Sequence, residues 1–267
     1  MEDHERRPGE TGIGSLDWLR RSAGRLSVRE RLRLSLRAAL PTTRALLTAR
    51  IGRDPAGAIT LADLLTPDSQ AVREALQAME QHASDGVLQH SLRCYAWASG
   101  LGRRDRLAFD PELLLVSCLL HDLGMTPRFN GHAPGCACFA GQGALAALQM
   151  ARAWGPESGW HEARCIALAD AIALHMNGHV PPSEGIEAHL LQQSTAFDVV
   201  GARWRHLPAA FRAQVLARHP DRGFGAEFTG FLQCEAKQRP QSRAALMRLL
   251  GVPLLVRLRP RAPAGAG

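Results

Sequence analysis

Apolar side chains at 113–116 and 118–120 make a run broken only by Ser117, and it ends in His121, Asp122, Leu123 and Gly124. Asp110 suits an N-cap, Pro111 the first helical position and Glu112 the first turn. Gly124 is the expected left-handed terminator. The pattern therefore predicts one buried helix with His121 and Asp122 at its frayed end. Side chains adjacent in sequence diverge by about 100° in mid-helix, but in a loosening last turn they can converge on one cation. Elsewhere the period is helical and amphipathic. Thr66-Pro67-Asp68 is a start signal, followed by Val72, Leu76 and Met79 on one face. A second helix is expected over 86–99, stopped by Gly100 and Gly102. After a loop over 127–143, helices are expected over 144–154, 160–175, 186–204 and 208–217, and from 224 into the 240s.

Residues 15–50 are more ambiguous. Leu32, Leu34 and Leu36 alternate with arginine and serine as a strand would, yet Leu32, Leu36 and Leu40 fit helical spacing and the composition favours helix. We read a helix that packs on the core, with a partner-binding or membrane-surface arm as the alternative, then a loop over 52–57. Residues 1–14 and the tail from Pro260 read as disordered. With no internal repeat and no hairpin pattern, the fold class is all-α. The organisation expected is a basic, partly disordered segment over 1–60, a domain over 61–250 and a disordered tail over 251–267.

Composition changes this picture little. The 267 residues are 46% hydrophobic, enough for a substantial core, and no apolar run reaches the roughly 18 residues of a membrane span. The N-terminus shows no secretory pattern, so a cytoplasmic location is expected. The net charge of +7 raises the question of nucleic acid, but its distribution argues against that. Residues 20–50 hold nine arginines and one acid, and residues 236–267 hold seven basic residues and no acid. The chain between them is acidic. Basic termini leave a nucleic-acid or acidic partner open, and a homo-oligomer is left open as well. The six cysteines are scattered and expected to be reduced; Cys136 and Cys138 are the one close pair, and nothing completes a zinc knuckle.

Four residues in apolar helical settings carry the candidate chemistry: His90, the pair His121-Asp122, and Asp198. Each alone has a bland explanation, as a core histidine, a helix cap or a salt-bridge partner. Together, two imidazoles and two carboxylates form a ligand set for one divalent transition metal: Zn, Fe, Mn, Co or Ni. His175, beside Ala171, Ile172 and Leu174, faces the same interior and is a candidate for catalysis and substrate contact. Arg93, three residues after His90, is on the same helical face and suits an anionic substrate group or a structural acid such as Asp85. Thr126, just before the loop after the His-Asp pair, and Phe139, within that loop, are further candidates for substrate binding.

The order of these residues resembles the HD-domain superfamily, whose H…HD…D residues on separate helices bind a divalent metal. The segments around His90-Ser91-Leu92-Arg93 and Leu119-Leu120-His121-Asp122-Leu123-Gly124 look like its histidine motifs. The stretches 139–144, 171–175 and 197–201 are similar to its cyanamide-hydratase-like branch, with Ala140 where that branch commonly has glutamate. The resemblance covers roughly residues 65–205. It implies a helical bundle with a mononuclear metal site, in which His90, His121, Asp122 and Asp198 are ligands and Asp122 and His175 serve catalysis. The activity implied is a metal-dependent hydrolase using a metal-activated water on a small molecule, a phosphoester first. Water addition to a nitrile-type carbon is the alternative, and a non-catalytic, metal-stabilised binding module is a third.

Overall fold

Asp110 does cap the central helix. Its carboxylate accepts from the backbone N–H groups of Glu112 (2.9 Å) and Leu113 (3.0 Å), with Pro111 at the first helical position. The computed structural model describes residues 12–51, 59–131 and 135–259. The expected loop at 52–57, residues 1–11 of the expected disordered N-terminus and the tail from Pro260 lie outside the described residues.

Among the described residues there are twelve α-helices, some short 3-10 turns and no strand. They are α1 (Leu16–Ser22), α2 (Val28–Ile51), α3 (Gln70–His82), α4 (Asp85–Asp105), α5 (Pro111–Leu120) and α6 (Phe139–Trp154), then α7 (Glu162–Leu174), α8 (Ile186–Val200), α9 (Ala209–Arg218), α10 (Phe224–Gln238), α11 (Arg243–Leu249) and α12 (Val252–Leu258). Helix α5 is the hub. Every residue from Leu113 to Leu120 is buried, and α3, α4, α6, α7 and α8 pack around it. A helix apolar on all sides belongs inside others. Among the described residues, no helix is long and apolar enough to cross a membrane.

Several boundaries differ from the sequence reading, and packing explains most of them. Helix α3 is capped by Ser69, whose hydroxyl accepts from Val72 N. Helix α4 does not stop at Gly100 or Gly102. A Cβ on Gly100 would lie 2.9 Å from Phe211 Cε1, and one on Gly102 would lie 2.7 Å from Phe109 Cε1. Both glycines serve close approach of neighbouring chain. Likewise Gly124 does not take a left-handed conformation. It sits in the turn Leu123–Met125, where a Cβ would overlap the backbone carbonyl of Phe139 and lie 2.9 Å from Gly143 N. The glycine pair thus presses the turn after α5 against α6, which begins at Phe139 rather than 144. Helix α8 ends at Val200 because Gly201 adopts φ 71°.

The first and last described helices take part in the fold. Leu16, Trp18 and Leu19 of α1 are buried. Leu16 N donates to Asp170 Oδ1 (2.7 Å), and Ala137 N donates to Ala23 O (2.7 Å). Leu34 and Ala38 bury one side of α2, while Val28, Leu32 and Leu36 are exposed on the other. Residues 252–258, expected to fall in a disordered tail, form α12 with Val256 buried.

Candidate metal centre

The convergence of His121 and Asp122 follows from where α5 ends. His121 keeps helical angles as the C-cap, whereas Asp122 turns to φ −100°, ψ 12°. The departure brings Asp122 Oδ2 to 3.2 Å from His121 Nε2. His121 Nδ1 lies 2.7 Å from Cys118 O. A carbonyl oxygen only accepts, so Nδ1 carries the hydrogen and Nε2 faces inward. His175, the C-cap of α7, repeats the device: its Nδ1 lies 2.6 Å from Ile172 O. Its Nε2 is 3.7 Å from Asp122 Oδ1.

His90 lies within α4, and its Nδ1 is held by a carboxylate from another helix, Asp198 Oδ2 at 2.7 Å. Its Nε2 is 3.2 Å from His121 Nε2 and 3.7 Å from Asp122 Oδ2. Three imidazole Nε2 atoms and the Asp122 carboxylate therefore meet in one buried volume. With each Nδ1 donating outward, all of the converging groups are acceptors. Lone pairs packed this closely require a cation between them, a proton or a metal. The donor set fits a divalent transition metal. His121, Asp122 and His175 offer ligand atoms within 4.8 Å of one another, as do His90, Cys94 and His121.

Charge states follow from the same contacts. Burial pushes the Asp122 carboxyl up, but His121, with His90 and His175, holds it well below the usual carboxylate range. Burial lowers His121, yet the adjacent Asp122 carboxylate raises it overall. Burial and neighbouring His121 bring His175 down to about 3. Burial also depresses His90, against the pull of Asp198. Of the three imidazoles, His121 is the one whose proton affinity is raised rather than lowered.

Asp198 stands one layer out. Oδ1 accepts from Arg93 Nε (2.8 Å) and Trp97 Nε1 (2.8 Å); Oδ2 accepts from Arg93 Nη2 (2.7 Å) and His90 Nδ1. Burial pushes this carboxyl up, and the Arg93 guanidinium more than reverses the shift. Arg93 is only 1% exposed and also donates to Pro220 O (2.9 Å). Its fork is engaged by the protein rather than turned to a ligand, and Asp85 pairs instead with Arg222 (3.2 Å).

A cavity of about 110 Å³ opens beside the cluster, with His90, His121, Asp122 and His175 in its wall. Thr126 and Phe139 do not line it. The Thr126 hydroxyl donates to Leu123 O (2.8 Å), and the Phe139 ring packs edge-on to His175 and Phe231. Sequence reasoning missed Trp97, Cys94 and Phe224. Positions 90, 93, 94 and 97 share one face of α4 by the i, i+3, i+4, i+7 rule, a signal that would have flagged Cys94 and Trp97. Phe224, stacked on the His90 ring at 3.8 Å between centroids, arrives from α10 with no local signature.

The fold and the buried cluster define a helical protein built around a candidate metal centre. Residues 87–194 match the HD domain family, which supports placement in the HD superfamily and, at a coarse level, a metal-dependent hydrolase. The matched segment contains His90, His121, Asp122 and His175 and stops short of Asp198. No curated protein matches the chain.

Proposed function

We propose that this chain is a metal-dependent hydrolase that directs water at a small molecule held in the cavity beside the cluster. One observation carries the reading: the Nε2 atoms of His90, His121 and His175 and the Asp122 carboxylate converge as acceptors with no donor among them. These four residues would hold one divalent metal, while Asp198 keeps Nε2 of His90 inward by accepting from its Nδ1. When bound, such an ion supplies Lewis acidity and lowers the pKa of water. Asp122 lines the cavity, and its carboxylate is placed to accept a hydrogen bond from the attacking water and orient it. His175, held neutral by burial, keeps its Nε2 lone pair available at ordinary pH.

The phosphoester expected from the sequence needs donors for its oxygens. Among the described residues lining the cavity there is no lysine or arginine, and Arg93 is bound to Asp198. That observation favours a second reading, attack of water on an uncharged carbon such as that of a nitrile. To separate the two, protein loaded with Zn, Fe, Mn, Co or Ni is assayed in parallel on phosphomonoesters, cyanamide and simple nitriles, beside Asp122→Ala. Metal-dependent turnover lost in the variant supports the enzyme reading. Turnover of phosphoesters alone refutes the second reading, and failure of well-folded wild type to take up metal refutes the first.

A further inference from the structure

We propose that the cavity is a subsite for an uncharged, apolar group of the substrate, with selectivity set by α11 and α12. The proposal rests on the reading of the His-Asp cluster as the reaction centre and names the class of molecule presented to it. Away from the cluster, the wall is built largely from Met176, Val199, Phe228, Met247, Val252 and Leu255. The polar side chains that reach the wall are already bonded. Asn177 Nδ2 donates to Ile13 O (2.7 Å) and its Oδ1 accepts from Arg243 (3.2 Å). Gln192 Nε2 donates to Gly178 O (3.4 Å), and the Thr195 hydroxyl donates to Gln192 O (3.0 Å). An anionic group entering here would lose water and meet no lysine or arginine among the described residues in exchange. An apolar group would gain by leaving water.

Size and origin sharpen the assignment. A cavity of about 110 Å³ is slightly smaller than the roughly 150 Å³ that holds benzene in an apolar protein cavity. The group that fits has about four to six carbons. Met247, Val252 and Leu255 are half-buried, so apolar surface at the cavity stays wet until a ligand covers it. Of the six wall residues, only Met176 falls within the family-matched segment 87–194. The reactive floor comes from that segment; the apolar wall comes mainly from residues C-terminal to it.

The test uses full-length protein and straight-chain hydroxamates from acetohydroxamate to heptanohydroxamate, titrated calorimetrically into the metal-loaded form. The metal-free form is titrated with the matching primary alcohols. Affinity is expected to rise about fourfold per added methylene until the cavity is filled. Leu255→Glu should flatten both series while leaving metal content and acetohydroxamate affinity unchanged. Met247→Gln, at a half-buried position on a different helix, provides the same comparison if Leu255→Glu fails to fold. Acetohydroxamate binding with no gain along either series would overturn the apolar subsite and leave the metal centre standing. A slope unchanged in both variants would overturn the assignment to α11 and α12. A protein that takes no metal sinks the hydrolase reading, and the alcohol series then still tests the wall by itself.

Discussion

Replacing Asp198 by asparagine should damage this protein twice, and in separable ways. All four atoms bonded to the carboxylate are donors: Arg93 Nε and Nη2, Trp97 Nε1 and His90 Nδ1. Whichever way the amide is turned, its NH2 confronts a donor, and the buried Arg93 charge loses its close counter-ion, keeping only Asp221 at 3.9 Å. Breaking a buried pair from one side costs about 3–5 kcal/mol. For a domain of this size that lowers the melting temperature by roughly 6–20 °C. The second effect falls on His90. With the amide NH2 turned to Nδ1, the ring shifts its proton to Nε2, where a lone pair is needed, and metal affinity should drop by about 10- to 100-fold.

The control is Asp122→Asn. Around Asp122 the neighbours are imidazole Nε2 atoms, so an amide can donate to one of them. The metal-free variant should stay within about 1 kcal/mol of wild type, because a hydrogen bond replaces the ion pair, while metal binding is lost. Thermal denaturation of the metal-free proteins and metal titration against a competing chelator separate the two effects. A metal-free Asp198→Asn as stable as wild type, with metal binding abolished outright, would refute the reasoning and make Asp198 a direct ligand.

Gly124→Ala should destabilise by at least about 3 kcal/mol in urea denaturation, because the added methyl meets Phe139 backbone rather than a movable side chain; a loss under about 0.5 kcal/mol would contradict the close approach. Deleting residues 1–24 removes Leu16, Trp18 and Leu19 from the core, roughly 1.5–3 kcal/mol each against a typical total of about 5–15. The truncated chain should fail to give a cooperative melt, and full metal binding by a stable truncation would make α1 an appendage. Burial brings His206 and His219 down to about 4 from 6.5. The unfolded chain therefore binds protons first, and stability should fall as pH drops from about 6.5 towards 4. His219→Gln should flatten that part of a melting-temperature profile, and an unchanged slope would rule out His219 as a contributor.

The readable parts of this fold are those whose causes are local. The cap at Asp110, the apolar run and the placement of His121 and Asp122 at the end of α5 needed only neighbouring residues, and so did the all-α class. Distant causes were harder to read. Gly100 and Gly102 look like helix stops by intrinsic preference, but Phe211, Leu207 and Phe109 demand their small size from elsewhere in the chain. Gly141 and Gly143 made residues 139–143 look like loop, whereas Leu19 and Gly124 press against them and the helix forms regardless. Arg93 was placed on the right face of α4. Its partner lies 105 residues away, and spacing alone could not distinguish a buried carboxylate from a substrate anion.

The three histidines also show why the fourth residue of the motif sits on a separate helix. The last four carbonyls of an α-helix have no intrahelical N–H partner. His121 and His175 each come just after the end of a helix, and each turns Nδ1 to such a carbonyl three residues back, Cys118 O and Ile172 O. Their orientation is thus supplied by their own helix. His90 lies inside α4, where the nearby carbonyls belong to the helical ladder, so its Nδ1 needs an acceptor from outside. Asp198 provides that acceptor from α8, and a carboxylate buried there needs a counter-charge and a further donor, which Arg93 and Trp97 respectively provide one and two turns along from His90. The position of each imidazole along its helix thus determines what must hold it, and Asp198 is required because His90 is in mid-helix.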